Sequence, residues 1–325
     1  MATNEGRRLK RIVKEVSDLV KERKDLKQNG IYIDYESIEN SETIGIIKFL
    51  IIGPSDTCYS NGFYFFTAEY PSDYPMTPPK INYCTQGSLR NPSNPNIICK
   101  IRFNPNLYTC GKVCLSILNT WRGEGWRPTY TLEKVFFAIQ ALVLTSTPLK
   151  NEPGFENSNN LILSNYSNII EYAKFKIAVL DMLKKIPNGF NYFIPIIRQI
   201  FLEKFEIYMS TILANNDIMN NSATKILKCD TYSMLINVDY SLLVNEFSLM
   251  YEIILNEEEN FKLNNTNSKK ISLEPEPEPE IKLESVEESV EESVKESVKE
   301  SVKETVKELV EETVKDTNIF TNINY

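Results

Sequence analysis

Apolar residues near the start of the chain recur at helical spacing and then give way to short runs typical of strands. Over 5–24 the apolar positions share one side of a helix, and the basic residues lie on the other side. From Gly30 to Thr85 the apolar runs are short and are bounded by turn residues. This pattern predicts an antiparallel meander with strands at 30–36, 44–52, 62–70 and 79–84.

Helical spacing returns in the second half of the chain. Thr131 is placed to cap a helix that runs to about Val143 and turns one apolar face to the core. Residues 158–262 contain several further apolar stripes at helical spacing, one of them after Pro195, which suits the start of a helix. Each apolar stripe must be buried against another part of this protein or against a partner. The stripes therefore predict a helical extension that packs on itself or on the preceding domain, or that offers a groove to a partner.

The composition becomes polar at about residue 263. Glutamate and proline alternate over 274–280, which makes a stiff, self-repelling spacer, and valine recurs every four residues from 286 to 314. A period of four drifts by about 40° per repeat around an α-helix, so these valines form no straight stripe. We interpret 263–325 as a low-complexity acidic tail, disordered or transiently helical, with a coiled-coil seam as the alternative.

Charge and length change this picture in two ways. The net charge is −8, but residues 271–325 alone carry −10, which leaves +2 on the first 270 residues. The acidity therefore belongs to the tail.

A chain of 325 residues exceeds one typical domain, so we expect a core domain with an extension. No apolar run is long enough to span a membrane and the first residues lack a signal peptide, so we expect a soluble protein of the cytoplasm or nucleus.

The sequence contains no histidine. Its absence excludes Ser-His-Asp and Cys-His catalysis and the common zinc sites that use histidine ligands. A cysteine protease is therefore a poor interpretation of any cysteine here. The six cysteines show no paired Cys-x-x-Cys spacing, so we expect free thiols rather than a disulfide framework.

One segment places a side-chain amide on a stiff turn before a cysteine. Pro105 restricts the turn Asn104-Pro105-Asn106, and Cys114 follows eight residues after Asn106. An amide N–H aimed at a developing oxyanion assists acyl transfer, and a cysteine thiolate both accepts and releases acyl groups. Such chemistry requires an accessible sulfur and a carboxamide within reach of the acyl carbonyl. The alternative is a buried, inert cysteine.

The flanking sequence carries a family resemblance. The segment from Asn104 to Leu115 resembles the active-site pattern of the ubiquitin-conjugating enzymes, His-Pro-Asn followed by Gly-x-Val/Ile-Cys-Leu, with Asn104 in place of histidine. Further matching motifs occur in the family's order: Gly53-Pro54, Gly62-Phe63-Tyr64-Phe65, the proline-rich segment 74–80 and Gly125-Trp126-Arg127-Pro128. Together with 151–156, the segment looks most like the long Z-type subclass and its giant relatives fused to inhibitor-of-apoptosis domains.

The resemblance implies a fold and a domain order. The fold class is α+β, a ubiquitin-conjugating fold with a four-stranded antiparallel meander sheet and flanking helices, followed by an all-α extension and an acidic tail. Residues 1–157 would be the catalytic core, 158–262 the helical extension and 263–325 the tail. The Z-type similarity favours docking of the extension on the core.

The resemblance also implies residue roles. Cys114 would accept ubiquitin or a ubiquitin-like modifier as a thioester from an activating enzyme, for transfer to a substrate lysine. Asn106 would stabilise the oxyanion and the loop, while Asn104 would replace a mainly structural histidine. Glu152 would orient or deprotonate the lysine, or else cap a chain turn.

Partner contacts are implied on two surfaces. Activating-enzyme and ligase contacts are expected at Arg7, Arg8, Arg11, Met76, Trp126 and Pro128, although the arginines also fit an ordinary solvated face and Met76 a gap-filling side chain. Residues 86–101 form an insertion that would be a passive surface loop or would shape access to Cys114.

The expected partners are ubiquitin or a ubiquitin-like protein, an activating enzyme, a ligase and the substrate, with no nucleic acid or membrane. No metal or bound cofactor is expected, because ATP is used by the activating enzyme. The alternative function is an inactive adaptor of the same fold that binds ubiquitin or a ligase.

Overall fold

The computed structural model describes residues 4–35, 45–92, 94, 96–220 and 225–271. The chain divides into two compact units, Met1–Phe247 and Ser248–Tyr325. The contacts given below all lie within the first unit. Among the described residues, no helix combines the length and the apolar character that crossing a membrane requires.

The basic, amphipathic N-terminal segment forms two helices, α1 over Asn4–Lys21 and α2 over Arg23–Gln28. The predicted apolar side of α1 is confirmed, since Ile12, Val16 and Leu19 are buried. Glu15 on the same helix is also buried. It accepts hydrogen bonds from Arg11 Nε at 2.7 Å and from Tyr74 Oη at 2.6 Å, which ties α1 to the proline-rich loop.

The predicted meander is confirmed as a four-stranded sheet in the order β1-β2-β3-β4. Every neighbouring pair is antiparallel. The strands are β1 Ile31–Ile33, β2 Ile46–Ile52, β3 Phe63–Glu69 and β4 Lys80–Tyr83. In the register, Phe49 lies opposite Phe66 and Leu50 lies opposite Phe65.

Both faces of this sheet are covered. On one face, the Phe49 ring lies 4.3 Å from that of Phe136 in helix α3, Leu132–Leu142, whose predicted cap Thr131 accepts a hydrogen bond from the Lys134 amide. On the other face, the Phe65 ring lies 5.2 Å from Phe190 and 5.7 Å from Phe193 of the extension. Since each buried phenylalanine contributes about 1.5–3 kcal/mol, this packing holds the extension on the core. The expected docking is confirmed.

The extension begins with helix α4, Asn160–Ala173, which continues as a π-helix over Lys174–Asp181 and a last α-turn over Met182–Lys184. One of the apolar stripes predicted within 158–262 lies here, and its residues Ile170, Ala173, Ile177 and Leu180 are fully buried. A 3-10 turn, Asn191–Phe193, leads to helices α5 Ile194–Glu203, which has Pro195 in its first turn, α6 Phe205–Asn220 and α7 Tyr240–Ile271.

One expectation needs correction, and the structure adds detail to two others. The extension is not all-α, because strands β7 Ile226–Cys229 and β8 Met234–Asn237 form an antiparallel hairpin between α6 and α7. The insertion 86–101, expected as a passive surface loop or as a segment that shapes access to Cys114, contains a two-stranded sheet in which β5 Ser88–Arg90 pairs with β6 Ile98–Lys100. Helix α7 continues to Ile271, past the expected start of the tail at 263, and the prediction for 272–325 lies outside the described residues.

Candidate active site

A short hairpin brings Asn106 and Cys114 together. The amide of Leu107 donates to the Asn104 carbonyl at 2.9 Å, and Leu107 forms a bridge with Val113. The amide of Cys114 then donates to the Asn106 carbonyl at 2.9 Å. These backbone bonds place the predicted amide donor and the predicted nucleophile side by side, although they are eight residues apart in sequence.

The turn of this hairpin depends on Gly111. Its φ is +94°, and its amide donates to the Tyr108 carbonyl at 2.9 Å. A Cβ at this position would lie 2.1 Å from Asn82 Oδ1, which belongs to the neighbouring strand β4. Two independent costs, backbone strain and a side-chain clash, therefore oppose any other residue at Gly111.

Gly111→Ala is expected to lower the free energy of unfolding by about 1–3 kcal/mol or more, as measured by urea denaturation. Gly154→Ala is the matched control, because Gly154 has a φ of +90° but a Cβ there would meet no atom within 4 Å. Gly154→Ala therefore introduces backbone strain without a side-chain clash. An equal loss of stability in both variants would contradict the clash with Asn82.

Asn104, which stands where the family has histidine, is buried and fully bonded. Its Nδ2 donates to the Val143 carbonyl at 2.7 Å and to Tyr59 Oη at 3.0 Å. Its Oδ1 accepts from the Asn106 amide at 2.8 Å. The neutral carboxamide thus supplies two donors and an acceptor to the turn, so the replacement of histidine leaves the turn well held.

The Asn106 side chain is bound to the cysteine's own backbone. Its Nδ2 donates to the Cys114 carbonyl oxygen at 2.5 Å, and the residue is 7% exposed. Its Oδ1 is buried without a hydrogen-bond partner among the described residues. Because an amide nitrogen carries two hydrogens, one N–H remains for a second acceptor after the bond to Cys114 is made.

Cys114 itself is 2% exposed. The accessible sulfur that the sequence interpretation requires is therefore not present in this conformation, and an acyl carbon can reach Sγ only if neighbouring groups move. The chain after the cysteine is also fixed, because Thr120 Oγ1 accepts from the Leu115 amide at 2.9 Å and donates to the Val113 carbonyl at 2.8 Å.

Burial predicts the order of thiol modification in the isolated protein. Cys110 is exposed, whereas Cys114 is buried. Iodoacetamide is therefore expected to alkylate Cys110 at least about 10-fold faster than Cys114, because thiol reactivity requires access as well as thiolate. Mass spectrometry of proteolytic peptides measures both rates. The same measurement in denaturant is the control and should bring the rates together; similar rates in the folded protein would contradict the burial.

Glu152 follows the 3-10 turn Pro148–Asn151, whose last residue is joined to the Asn104 network by a hydrogen bond from Asn151 Nδ2 to Asn104 Oδ1 at 3.4 Å. The half-buried Glu152 carboxylate accepts a hydrogen bond from Tyr232 Oη at 2.5 Å. Its side chain is thus bonded to a tyrosine of the extension rather than used to cap the turn.

The predicted partner-contact residues differ in exposure. Arg7 and Pro128 are exposed, and Met76 is 70% exposed, which excludes a gap-filling role. Trp126 is only 9% exposed and its Nε1 donates to the Pro75 carbonyl at 2.7 Å, so it joins the Gly125–Pro128 segment to the proline-rich segment 74–80.

Two of the predicted contact arginines are bonded within the chain. Arg8 Nε donates to the Pro71 carbonyl at 2.8 Å, and Arg11 Nη2 donates to the Tyr130 carbonyl at 2.8 Å. Of the three, Arg7 presents the most available surface to a partner.

Sequence reasoning missed three residues that hold the site. Tyr59 Oη donates to the Phe103 carbonyl at 2.6 Å, Thr120 holds the backbone on both sides of Cys114, and Arg102 contacts the turn. None of them forms part of a motif, and only their spatial neighbours reveal their roles. All six cysteines lie in described regions and are free thiols. No group of three or more metal-ligating side chains occurs in the described part of the chain.

The sheet, the flanking helices and the hairpin with its asparagine and cysteine define one class of protein. The family model for the ubiquitin-conjugating enzymes matches residues 11–175, and the chain belongs to this family. The similarity to the Z type is also confirmed. The chain is 38% identical to "Ubiquitin-conjugating enzyme E2 Z" of Xenopus tropicalis over 166 residues, and 36% identical to the protein of that name from Homo sapiens over 177 residues.

These matches cover part of each relative. They span 50% of this chain and 49% of the Xenopus protein, and 54% of this chain and 45% of the human protein. The human "Dual E2 ubiquitin-conjugating enzyme/E3 ubiquitin-protein ligase BIRC6" is 38% identical over 177 residues, which are 52% of this chain but 3% of that protein. The chain thus matches less than half the length of these relatives.

Proposed function

We propose that the protein carries ubiquitin, or a ubiquitin-like modifier, as a thioester on Cys114 and transfers it to a lysine amine. The observation that carries the proposal is the pairing of Cys114 with Asn106 through two hydrogen bonds, one from the Cys114 amide and one from Asn106 Nδ2. The family membership supports the same chemistry, and the relatives' names supply the modifier.

The proposed reaction has two acyl transfers. In the first, the Cys114 thiolate attacks the thioester carbonyl that joins the modifier to the activating enzyme, and the enzyme's thiolate leaves. In the second, a neutral lysine amine attacks the new thioester carbonyl, the oxygen becomes an oxyanion, and the Cys114 thiolate leaves as the amide forms. The lysine loses one proton in this step, and without histidine the available base is a carboxylate or water.

Asn106 and Glu152 have distinct parts in the second transfer. With one N–H held on the Cys114 carbonyl, the other N–H of Asn106 is the donor for the oxyanion. The Glu152 carboxylate is the acceptor for the lysine proton, or it orients the ammonium before deprotonation. Both are neighbours of the Asn104 turn, Asn106 by sequence and Glu152 through Asn151.

One observation favours the second candidate function. Cys114 is 2% exposed, so its sulfur is not presented to an acyl donor. An inactive adaptor, which only binds a modifier or a ligase, has no need of an accessible sulfur. Under the leading proposal, contact with the activating enzyme or the modifier moves the groups that cover Sγ. Activating enzyme, ligase and substrate protein are the partners that this function needs.

The test is a charging assay with the full chain. The protein is incubated with an activating enzyme, ATP and ubiquitin, and the products are separated with and without reductant. The expected result is an adduct one modifier heavier that disappears on reduction. A panel of two activating enzymes and several modifiers identifies the partner. If no combination gives an adduct while binding of modifier or ligase is detected, the adaptor is the correct assignment.

A further inference from the structure

The hairpin β7–β8 contacts two residues that flank the candidate active site, Arg102 and Glu152. Its connection is a 3-10 turn, Asp230–Tyr232, and the half-buried Tyr232 lies at the end of this turn. The hairpin comes after residue 175, where the match to the family model ends. A segment outside the family-model match therefore supplies a side chain that contacts Arg102 and Glu152.

Arg102 receives the first contact from Tyr232. Its guanidinium donates to two carbonyls of the turn, from Nε to Asn104 at 3.1 Å and from Nη2 to Pro105 at 2.6 Å. The guanidinium carbon lies 3.6 Å from the ring centroid of Tyr108 and 5.3 Å from that of Tyr232. Two aromatic rings thus fix a cation whose hydrogen bonds determine the position of the turn.

Tyr166 of helix α4 contacts both Arg102 and Tyr232. Its hydroxyl donates to the Arg102 carbonyl at 2.6 Å, and its ring lies 5.8 Å from that of Tyr232. Arg102 is therefore held at its backbone by one tyrosine and near its guanidinium by two others. Removal of the Tyr232 side chain leaves the hydrogen bond from Tyr166 to the Arg102 carbonyl in place. The Arg102 guanidinium then contacts the ring of Tyr108 but no longer that of Tyr232.

The hydroxyl of Tyr232 makes the second contact, the 2.5 Å hydrogen bond to Glu152. Burial, together with this bond to a carboxylate, raises the pKa of Tyr232, so the hydroxyl keeps its proton and remains a donor at neutral pH. One side chain thus touches both groups that flank the Asn104 network, the arginine through its ring and the glutamate through its oxygen.

We propose that Tyr232 is a positioning residue for the transfer step: its ring fixes the Asn104-Pro105-Asn106 turn through Arg102, and its hydroxyl fixes the Glu152 carboxylate. The extension thereby becomes part of the active site rather than an attached domain. The kinetic part of this inference rests on the proposed function, whereas the structural part does not.

Two substitutions separate the ring from the hydroxyl. Tyr232→Ala removes both contacts, and Tyr232→Phe removes only the bond to Glu152. Tyr240→Ala is the matched control, because Tyr240 is a buried tyrosine of the same region whose ring packs 5.3 Å from Tyr172 instead of on Arg102. Each variant is made in the full chain.

Hydrogen–deuterium exchange of peptides covering 103–115 tests the structural part without any activity. Tyr232→Ala is expected to speed exchange there by about 3- to 30-fold, the range that loss of one cation–π contact gives. Tyr232→Phe keeps the ring and should show the wild-type exchange rate. Tyr240→Ala should also leave the exchange rate of the 103–115 peptides unchanged. Unchanged exchange in Tyr232→Ala, or equal acceleration in Tyr240→Ala, would overturn the inference.

Discharge of preformed thioester to free lysine tests the kinetic part. Tyr232→Phe is expected to slow discharge by about 10- to 150-fold, the range for one hydrogen bond to a charged group, and to have no further effect when Glu152 is already alanine. Additive losses in the double variant would show that Tyr232 does not act through Glu152. If the wild-type protein forms no thioester, the proposed function fails, while the exchange experiment still decides the structural part.

Discussion

Cys114→Ser is expected to abolish the reductant-sensitive adduct and to leave either a reductant-resistant ester or no adduct at all. The serine oxygen is smaller than sulfur, so the variant adds no bulk, but the hydroxyl is a far weaker nucleophile without a base, and the chain has no histidine to serve as one. Any ester that does form is stable to thiols. The measurement is the charging assay, run in parallel with and without reductant.

Cys110→Ser is the control for this variant. Cys110 is exposed and lies four residues before Cys114, so it is the thiol that would capture a modifier non-specifically. Wild-type charging is expected in Cys110→Ser. The assignment of Cys114 would be contradicted if Cys114→Ser still formed a reducible adduct that Cys110→Ser lost.

Asn106→Ala is expected to slow discharge of the thioester to lysine by about 100- to 1000-fold, the usual cost of one oxyanion donor. The free energy of unfolding should change by much less than the activation free energy of discharge. Although the variant loses the bond from Nδ2 to the Cys114 carbonyl, it also removes an Oδ1 that is buried without a partner among the described residues. A neutral hydrogen bond contributes about 0.5–1.5 kcal/mol, and removal of the unpaired acceptor offsets part of that.

Asn106→Asp is the matched variant, because it keeps the shape and removes both N–H donors. It is expected to lose discharge as severely as alanine does. Thermal unfolding of both variants provides the structural comparison. If discharge falls only in proportion to stability, or if the aspartate variant retains wild-type discharge, Asn106 holds the loop and does not stabilise the oxyanion.

Much of the core could be predicted because its signals are local. The strands follow from short apolar runs between turn residues, and helix α3 follows from an N-cap threonine before an apolar stripe. The proximity of Asn106 and Cys114 was implied by the family motif, and the structure gives the physical reason, a hairpin closed at Gly111.

The remaining features depend on contacts between distant parts of the chain. Strands β7 and β8 have four residues each, and nothing in so short a segment separates a strand from a loop. The bond between Tyr232 and Glu152 joins residues 80 positions apart, so no spacing rule predicts it. The burial of Cys114 is likewise invisible to a motif, because a motif names the neighbours in sequence and not the groups that cover the sulfur.

The packing of Phe190 and Phe193 on Phe65 limits which parts of the chain can be exchanged between proteins. The match to the family model ends at residue 175, inside a continuous helical stretch that starts at Asn160 and ends at Lys184. The family-model match and the helical stretch that packs against the sheet therefore end at different residues. An exchange of the chain after residue 175 would remove Phe190 and Phe193 from Phe65 on the inner strand β3, so the extension and the sheet cannot be swapped independently without exposing that ring.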